Sequence, residues 1–224
     1  MTNIIEFENV SKEFKRKVLY ENVNLKIQEG ECVGFVGGNG VGKSVLFQLI
    51  AGLLPVSGGN ILVNGKQLGS NGYDFPENVG ILINDPGYIE YYSGYKNLKM
   101  LAQIQNKITD AQIKETMKCV GLDFSDKTPV KKYSMGMKQK LGIAQAIMEN
   151  QNIIILDEPY NALDFQTNKE ITSILTNLKQ QGKTILLTSH QHEYLDKLCD
   201  KIYCIEEKRI VPFDDMLRKK YFEI

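Results

Sequence analysis

Gly37-Gly38-Asn39-Gly40-Val41-Gly42-Lys43-Ser44 meets the spacing Gly-x-x-x-x-Gly-Lys-Ser/Thr without a mismatch. Phosphate oxygens must be met by several backbone N–H groups at once. That requires a loop with little side-chain bulk and free φ, and a helix opening directly behind it adds its positive N-terminus. A loop of this kind is expected to hold a nucleoside triphosphate. Lys43 is placed for the β- and γ-phosphates, and Ser44 offers a hydroxyl oxygen to Mg²⁺, a hard cation that bridges phosphates through oxygen ligands. The setting agrees: Cys32-Val33-Gly34-Phe35-Val36 precedes the loop as a buried strand, and a helix is predicted from Lys43 to about Gly52.

Two further segments end apolar runs in polar residues. Asn152-Ile153-Ile154-Ile155-Leu156-Asp157-Glu158-Pro159 delivers two adjacent acids to a strand end. Because strand side chains alternate between faces, Asp157 is expected to support the Mg²⁺ shell while Glu158 points toward an attacking water as general base. Thr184-Ile185-Leu186-Leu187-Thr188-Ser189-His190 repeats the pattern, placing His190 within reach of the γ-phosphate. His190 and His192 are the only histidines, which supports neither a histidine metal site nor a Ser-His-Asp hydrolase. No Asn-Lys-x-Asp segment and no Asp-x-x-Gly switch follows the loop, so adenine is the expected base rather than guanine.

The elements that position these residues follow from periodicity. Ile4 to Val10 alternates, and Leu25-Lys26-Ile27 leads to Glu29-Gly30, as antiparallel strands do. Ile61 to Val63 and Val79 to Ile83 read as strands. From Tyr95 to Gly121 the pattern is helical, with Leu98, Leu101, Ala102 and Ile104 as one stripe, Thr109 or Asp110 as a cap and Gly121 as a stop. A helix starting near Ser134 carries Met137, Leu141, Ala144 and Met148 on one face. Strand Ile153 to Leu156, helix Gln166 to Gln181, strand Thr184 to Leu187, helix His192 to Cys199 and strand Lys201 to Ile205 complete a βαβαβ series. The expected class is α/β, with a mainly parallel sheet, β structure at the N-terminus and a helical insertion.

Composition removes other classes. A chain of 224 residues, 42% of them apolar, buries enough surface to fold without disulfides or metal. Its 27 Lys plus Arg balance 27 Asp plus Glu, which takes away the electrostatic case for a nucleic-acid binder. Cys32, Cys119, Cys199 and Cys204 form no Cys-x-x-Cys pair and read as small apolar side chains in a reducing cytoplasm. Met1-Thr-Asn-Ile-Ile-Glu is not a signal peptide, and no apolar run of about 18 residues is available to span a membrane.

Taken together, the segments resemble the ATP-binding-cassette (ABC) ATPase family, in the family's order and over nearly the whole chain. The phosphate loop and Asp157-Glu158 match its Walker motifs, His190 its switch histidine, and Asn161-Ala162-Leu163-Asp164 its D-loop, commonly Ser-Ala-Leu-Asp. Tyr133-Ser134-Met135-Gly136-Met137-Lys138-Gln139-Lys140 stands where the signature Leu-Ser-Gly-Gly-Gln belongs. Phe14 fits the aromatic that stacks on adenine, a contact worth about 1–3 kcal/mol in base-stacking analogues.

The resemblance implies one domain over residues 1–224: a phosphate-loop NTPase of ABC type with an N-terminal antiparallel β subdomain and a helical subdomain at about 86–149. It implies ATP held by Phe14, Gly37 to Ser44, Asn84, Ser134, Gly136 and Asp164, with Ser44, Asn84 and Asp157 around Mg²⁺ and Glu158 and His190 catalytic. Ser134 and Gly136 are then expected to touch ATP bound by a second copy, so that two chains sandwich two nucleotides. The implied partner is a separate membrane permease, with export the expected direction. The implied location is the inner face of the cell membrane, reached only through that permease. Met135, Met137 and, in the Q-loop position, Asn84 depart from the common pattern, and weaker Mg²⁺ or water positioning is expected at Asn84. The run Ile81-Leu82-Ile83-Asn84-Asp85-Pro86-Gly87-Tyr88 and the Met-Gly-Met-Lys-Gln-Lys stretch look like the bacitracin and lantibiotic exporter branch. The alternative is a nucleotide-sensing or regulatory ABC ATPase without a transport role. A two-cassette ribosome factor and a chromosome ATPase are disfavoured by the single cassette and the lack of a long coiled-coil insertion.

Overall fold

The structure, a computed structural model, describes residues 2–15, 17–84 and 86–222. Met1, and Asp85 of the exporter-like run, lie outside the described residues. Strands β1 (Asn3–Phe14), β2 (Lys17–Gln28), β4 (Gly58–Val63) and β5 (Lys66–Gln67) form an antiparallel sheet in the order β2-β1-β4-β5. A second sheet runs β10-β9-β3-β8-β7-β6, built from β3 (Cys32–Val36), β6 (Val79–Leu82), β7 (Ile153–Leu156), β8 (Thr184–Thr188), β9 (Lys201–Glu206) and β10 (Arg209–Pro212). The pairings from β9 to β6 are parallel, and β10 adds an antiparallel edge.

Alternation within the buried strands separates two apolar layers. Val33 and Phe35 of β3, Ile153 and Ile155 of β7, and Leu186 of β8 pack toward the antiparallel sheet and α1 (Lys43–Ile50). Cys32, Val36, Ile154, Leu156, Ile185 and Leu187 pack on the opposite side, against α4 (Met135–Ile147), α5 (Phe165–Gln180) and α6 (His192–Leu198). Strands apolar on both faces occupy the middle of such a sandwich because no other position satisfies both.

The helical segment is present, with α2 (Gly94–Gln105), α3 (Asp110–Cys119), a 3₁₀ turn at Val130–Lys132 and α4. Thr109 and Gln112 form a reciprocal capping box at the start of α3. At its end the Gly121 N–H donates to Lys118 O and the Leu122 N–H to Met117 O, so that two terminal carbonyls are satisfied. One expectation needs correcting: Ile104 does not share the stripe of Leu98, Leu101 and Ala102 but is 78% exposed. At about 100° per residue it lies about 120° from Leu98 and about 160° from Ala102, beyond Leu101 on the outer side of the stripe. Smaller differences lie at the ends, where α1 stops at Ile50 and β6 at Leu82. Strands β5 and β10 and helix α7 (Asp215–Phe222) carried no clear periodic signal in so few residues. No helix among the described residues is long and apolar enough to cross a membrane.

Candidate functional site

The parallel strands deliver their loops to one sheet edge, so residues far apart in sequence meet there. The loop after β3 turns into α1 at Gly42, whose φ of 118° lies in the left-handed region that disfavours any side chain. A Cβ there would also lie 2.9 Å from Tyr20 Oη. That hydroxyl donates to Gly42 O at 2.7 Å, and burial pushes its pKa well above the usual tyrosine range, which keeps it a neutral donor. Lys43 Nζ donates to Gly37 O at 2.9 Å and to Gly38 O at 3.2 Å, folding a buried ammonium onto its own loop. Lys17 Nζ reaches Gly40 O at 3.1 Å from β2. Phe14 pairs with Lys17 across the hairpin, and its ring, 42% exposed, lies 4.6 Å from the Lys12 ammonium. The aromatic expected to stack on adenine is thus tied through Lys17 to the phosphate loop.

The carboxylates are arranged differently from the strand-alternation argument. Strand β7 ends at Leu156, and Glu158 has φ 51°, so the chain has left extended geometry and alternation no longer applies. Asp157 and Glu158 line one cleft of about 380 Å³, together with Ser44, Asn84, Met135 and Lys138. Asp157 Oδ1 accepts the Thr188 hydroxyl proton at 2.7 Å. Glu158 Oε2 accepts the His190 N–H at 3.2 Å, and His190 Nε2 lies 3.4 Å from Oε1. Oε1 itself is buried and accepts no hydrogen bond among the described residues. Burial raises the Glu158 pKa above the ordinary carboxylate value, and the positive potentials of His190 and Lys43 offset only part of that rise.

The remaining candidates sit at the starts of α4 and α5. Ser134 is the exposed N-cap of α4, its Oγ accepting the Met137 N–H at 3.1 Å. Gly136 packs on α5, where a Cβ would come within 2.8 Å of Thr167 Cγ2. Asp164 caps α5, accepting from the Thr167 N–H at 2.9 Å and the Thr167 hydroxyl at 2.6 Å, bonds that lower its pKa. Ser134, Gly136 and Asp164 do not line the cleft formed by Ser44, Asp157 and Glu158. Tyr20, Lys17 and Thr188 take part in the site although spacing alone did not reveal them. A polar residue on a buried strand, as Thr188 is on β8, is the one signal that pointed to it.

The residues present fit Mg²⁺. Ser44 and Asp157 bring hard oxygen donors to one cleft, and Glu158 Oε1 is a buried acceptor left over. No group of three His, Cys, Asp or Glu able to hold a metal occurs among the described residues. A cation at Ser44 and Asp157 would complete its shell with nucleotide and water oxygens, the usual condition of Mg²⁺.

Residues 20–161 match the model of the ABC transporter family. The chain belongs to the ABC transporter family. It is 31% identical to the lantibiotic transport ATP-binding protein SrtF of Streptococcus pyogenes, over 97% of this chain and 91% of that protein. It is 32% identical to the bacitracin transport ATP-binding protein BcrA of Enterococcus faecalis, over 94% of this chain and 69% of that protein. The structure of cbiO1 from Clostridium perfringens, part of the ABC transporter complex cbiONQ, superposes with a TM-score of 0.83 at 26% identity, covering 94% of this chain and 88% of that one. The resemblance to the bacitracin and lantibiotic branch, the fold class and the ATP-binding, ATP-hydrolysing character of the cassette are borne out. The relatives are named as transport components, which gives the regulatory alternative no support.

Proposed function

We propose that this ABC ATPase powers export through a separate membrane permease and works as a homodimer with Mg²⁺-ATP. The observation that carries the reading is the exposure of Ser134: Ser44, Asp157 and Glu158 line one cleft at the sheet edge, bordered by Met135 and Lys138 of α4, while the signature serine caps that helix and is exposed. A helix N-terminus in that position is available to a phosphate held by a twin chain. Export, rather than import, is supported by the lantibiotic and bacitracin relatives.

In this reading Phe14 stacks on adenine, and the N–H groups of residues 37–44 cradle the phosphates with Lys43 turned from its loop carbonyls to the γ-phosphate. Ser44, Asp157 and Asn84 would hold Mg²⁺, which supplies charge neutralisation to the β- and γ-phosphates. Glu158 takes a proton from the attacking water, and His190, in contact with Glu158, donates to the γ-phosphate. Burial raises the Glu158 pKa, and a higher pKa makes its carboxylate a stronger base. Residues 86–149 form the helical subdomain of the single domain 1–224. Ile89, Tyr91, Met100 and Ile104 leave that segment apolar and exposed, as a permease-facing surface requires. Attachment there holds the subunit at the inner face of the membrane, with no direct membrane or nucleic-acid contact.

The test is Glu158→Gln. ATP turnover is expected to fall about 10²–10⁴-fold while nucleotide binding persists, and light scattering with ATP should show the mass of a dimer. A variant that turns over ATP like the parent overturns the role of Glu158, and one that stays monomeric with ATP bound overturns the shared site.

A further inference from the structure

We infer that Thr188 is a positioning residue for both carboxylates, its single hydroxyl fixing the Asp157 carboxylate for the cation and the Glu158 backbone for the water. This rests on the roles proposed above for Asp157 and Glu158. Register brings the three together: Leu156 of β7 pairs with Leu187 of β8, so Thr188 stands beside the point where β7 ends and Asp157 begins.

Thr188 is fully buried, with 0% of its surface exposed, and its hydroxyl is used in both directions. The Oγ1 proton goes to Asp157 Oδ1 at 2.7 Å, and an Oγ1 lone pair accepts the Glu158 N–H at 2.8 Å. A hydroxyl has one proton, so these bonds fix its rotor and fix which partner donates and which accepts. Two consequences follow. One oxygen of Asp157 is engaged inside the protein, which sets the carboxylate plane in a residue that lines the cleft with Ser44. The Glu158 N–H is held while the residue adopts φ 51°, a conformation that costs a non-glycine residue energy and persists where surrounding contacts over-determine it. The Asp157 N–H, donating to Leu82 O at 2.7 Å, pins the preceding peptide from β6. The site's geometry therefore depends on a side chain that faces neither nucleotide nor solvent, and such partners of metal-binding carboxylates are worth about 10–100-fold in affinity or activity.

Thr188→Val removes the hydroxyl and keeps the shape and strand preference, while Thr188→Ser keeps the hydroxyl. Three measurements separate positioning from bulk stability. In the nucleotide-free protein, hydrogen exchange of the Glu158 amide should speed up at least tenfold in Thr188→Val and stay near the parent in Thr188→Ser. The Mg²⁺ concentration that half-maximally tightens ADP binding should rise about 10-fold or more in Thr188→Val, with ADP affinity in EDTA unchanged. Its kcat for ATP should fall about 10–100-fold with KM little altered, and Thr188→Ser should restore all three. A Thr188→Val protein that matches the parent in amide exchange and Mg²⁺ midpoint overturns the proposal, as does a Thr188→Ser protein equally impaired. If ADP binding by the parent ignores Mg²⁺ altogether, the reading of Asp157 falls and the proposal falls with it.

Discussion

Glu158 is the residue on which chemistry and stability pull against each other. Its carboxyl is half-buried beside Lys43 and His190, and burial is the largest cause of its raised pKa. Between the ordinary value and the raised one, the folded chain holds more protons than the unfolded chain, so stability falls as pH rises through that window. Below the ordinary value, about pH 4, both states are protonated and the penalty vanishes. Glu158→Gln keeps the oxygen that accepts the His190 N–H and removes the buried charge. Calorimetry should therefore find the variant melting above the parent at about pH 8, with the gap closing toward about pH 4. A variant that melts below the parent at the higher pH contradicts the assigned cause. The identity of this glutamate was legible in its position after an apolar strand, but its burial and its left-handed backbone were not. Both come from the loop packing against β8 and the segment around His190.

At the scale of elements, the contact between α4 and β6 joins the helical segment to the parallel sheet. Gly80 of β6 lies so close to α4 that a Cβ would overlap the Ala146 carbonyl oxygen, and a Cβ on Gly142 of α4 would lie 2.6 Å from Leu82 Cδ1. Gly80 lets the strand approach the α4 backbone, and Gly142 leaves room for the Leu82 side chain. Gly80→Ala should cost about 1–3 kcal/mol as overpacking against backbone, lowering the thermal midpoint by about 2–4 °C for each kcal/mol. Urea unfolding of the two proteins checks this, and equal midpoints would mean that α4 moves away freely. A glycine inside a predicted strand signals a close approach without saying what approaches, and α4 reaches β6 from more than fifty residues away. The Lys140–Glu170 ion pair and the Gly136–Thr167 contact hold the other end of α4 to α5. Helix α4, which Ser134 caps, is thus braced on both the sheet and α5.

For the whole molecule, the central sheet is shared by two apolar layers, and the glycine-rich loop proposed to hold the nucleotide is attached to both. Gly37 to Gly42 follows β3, whose alternate residues enter each layer, and Tyr20 of the antiparallel sheet holds the start of α1. Ligand binding at this edge should therefore register as global stability. At ATP concentrations about 100 times Kd, linkage supplies about 2.7 kcal/mol, which corresponds to a rise of roughly 5–10 °C in the melting midpoint for a chain of this size. Lys43→Ala should abolish most of that rise while leaving the unliganded midpoint near the parent's. A full ATP-induced rise in Lys43→Ala would show that the lysine is not a phosphate ligand.

The sequence by itself determined the α/β class and the family, and it supplied Gly37 to Ser44, Asp157, Glu158 and Ser134 as site candidates, because each is written in short spacings where residue type dictates local chemistry. Tertiary structure decided which side chains meet. The pairing of β7 with β8 sets Thr188 against Asp157 and Glu158, the hairpin brings Tyr20 and Lys17 to the loop, and packing turns Ile104 outward while Leu98 goes in. Hydrogen bonds across strands and burial depend on register and on long-range packing, and neither property is local to the chain.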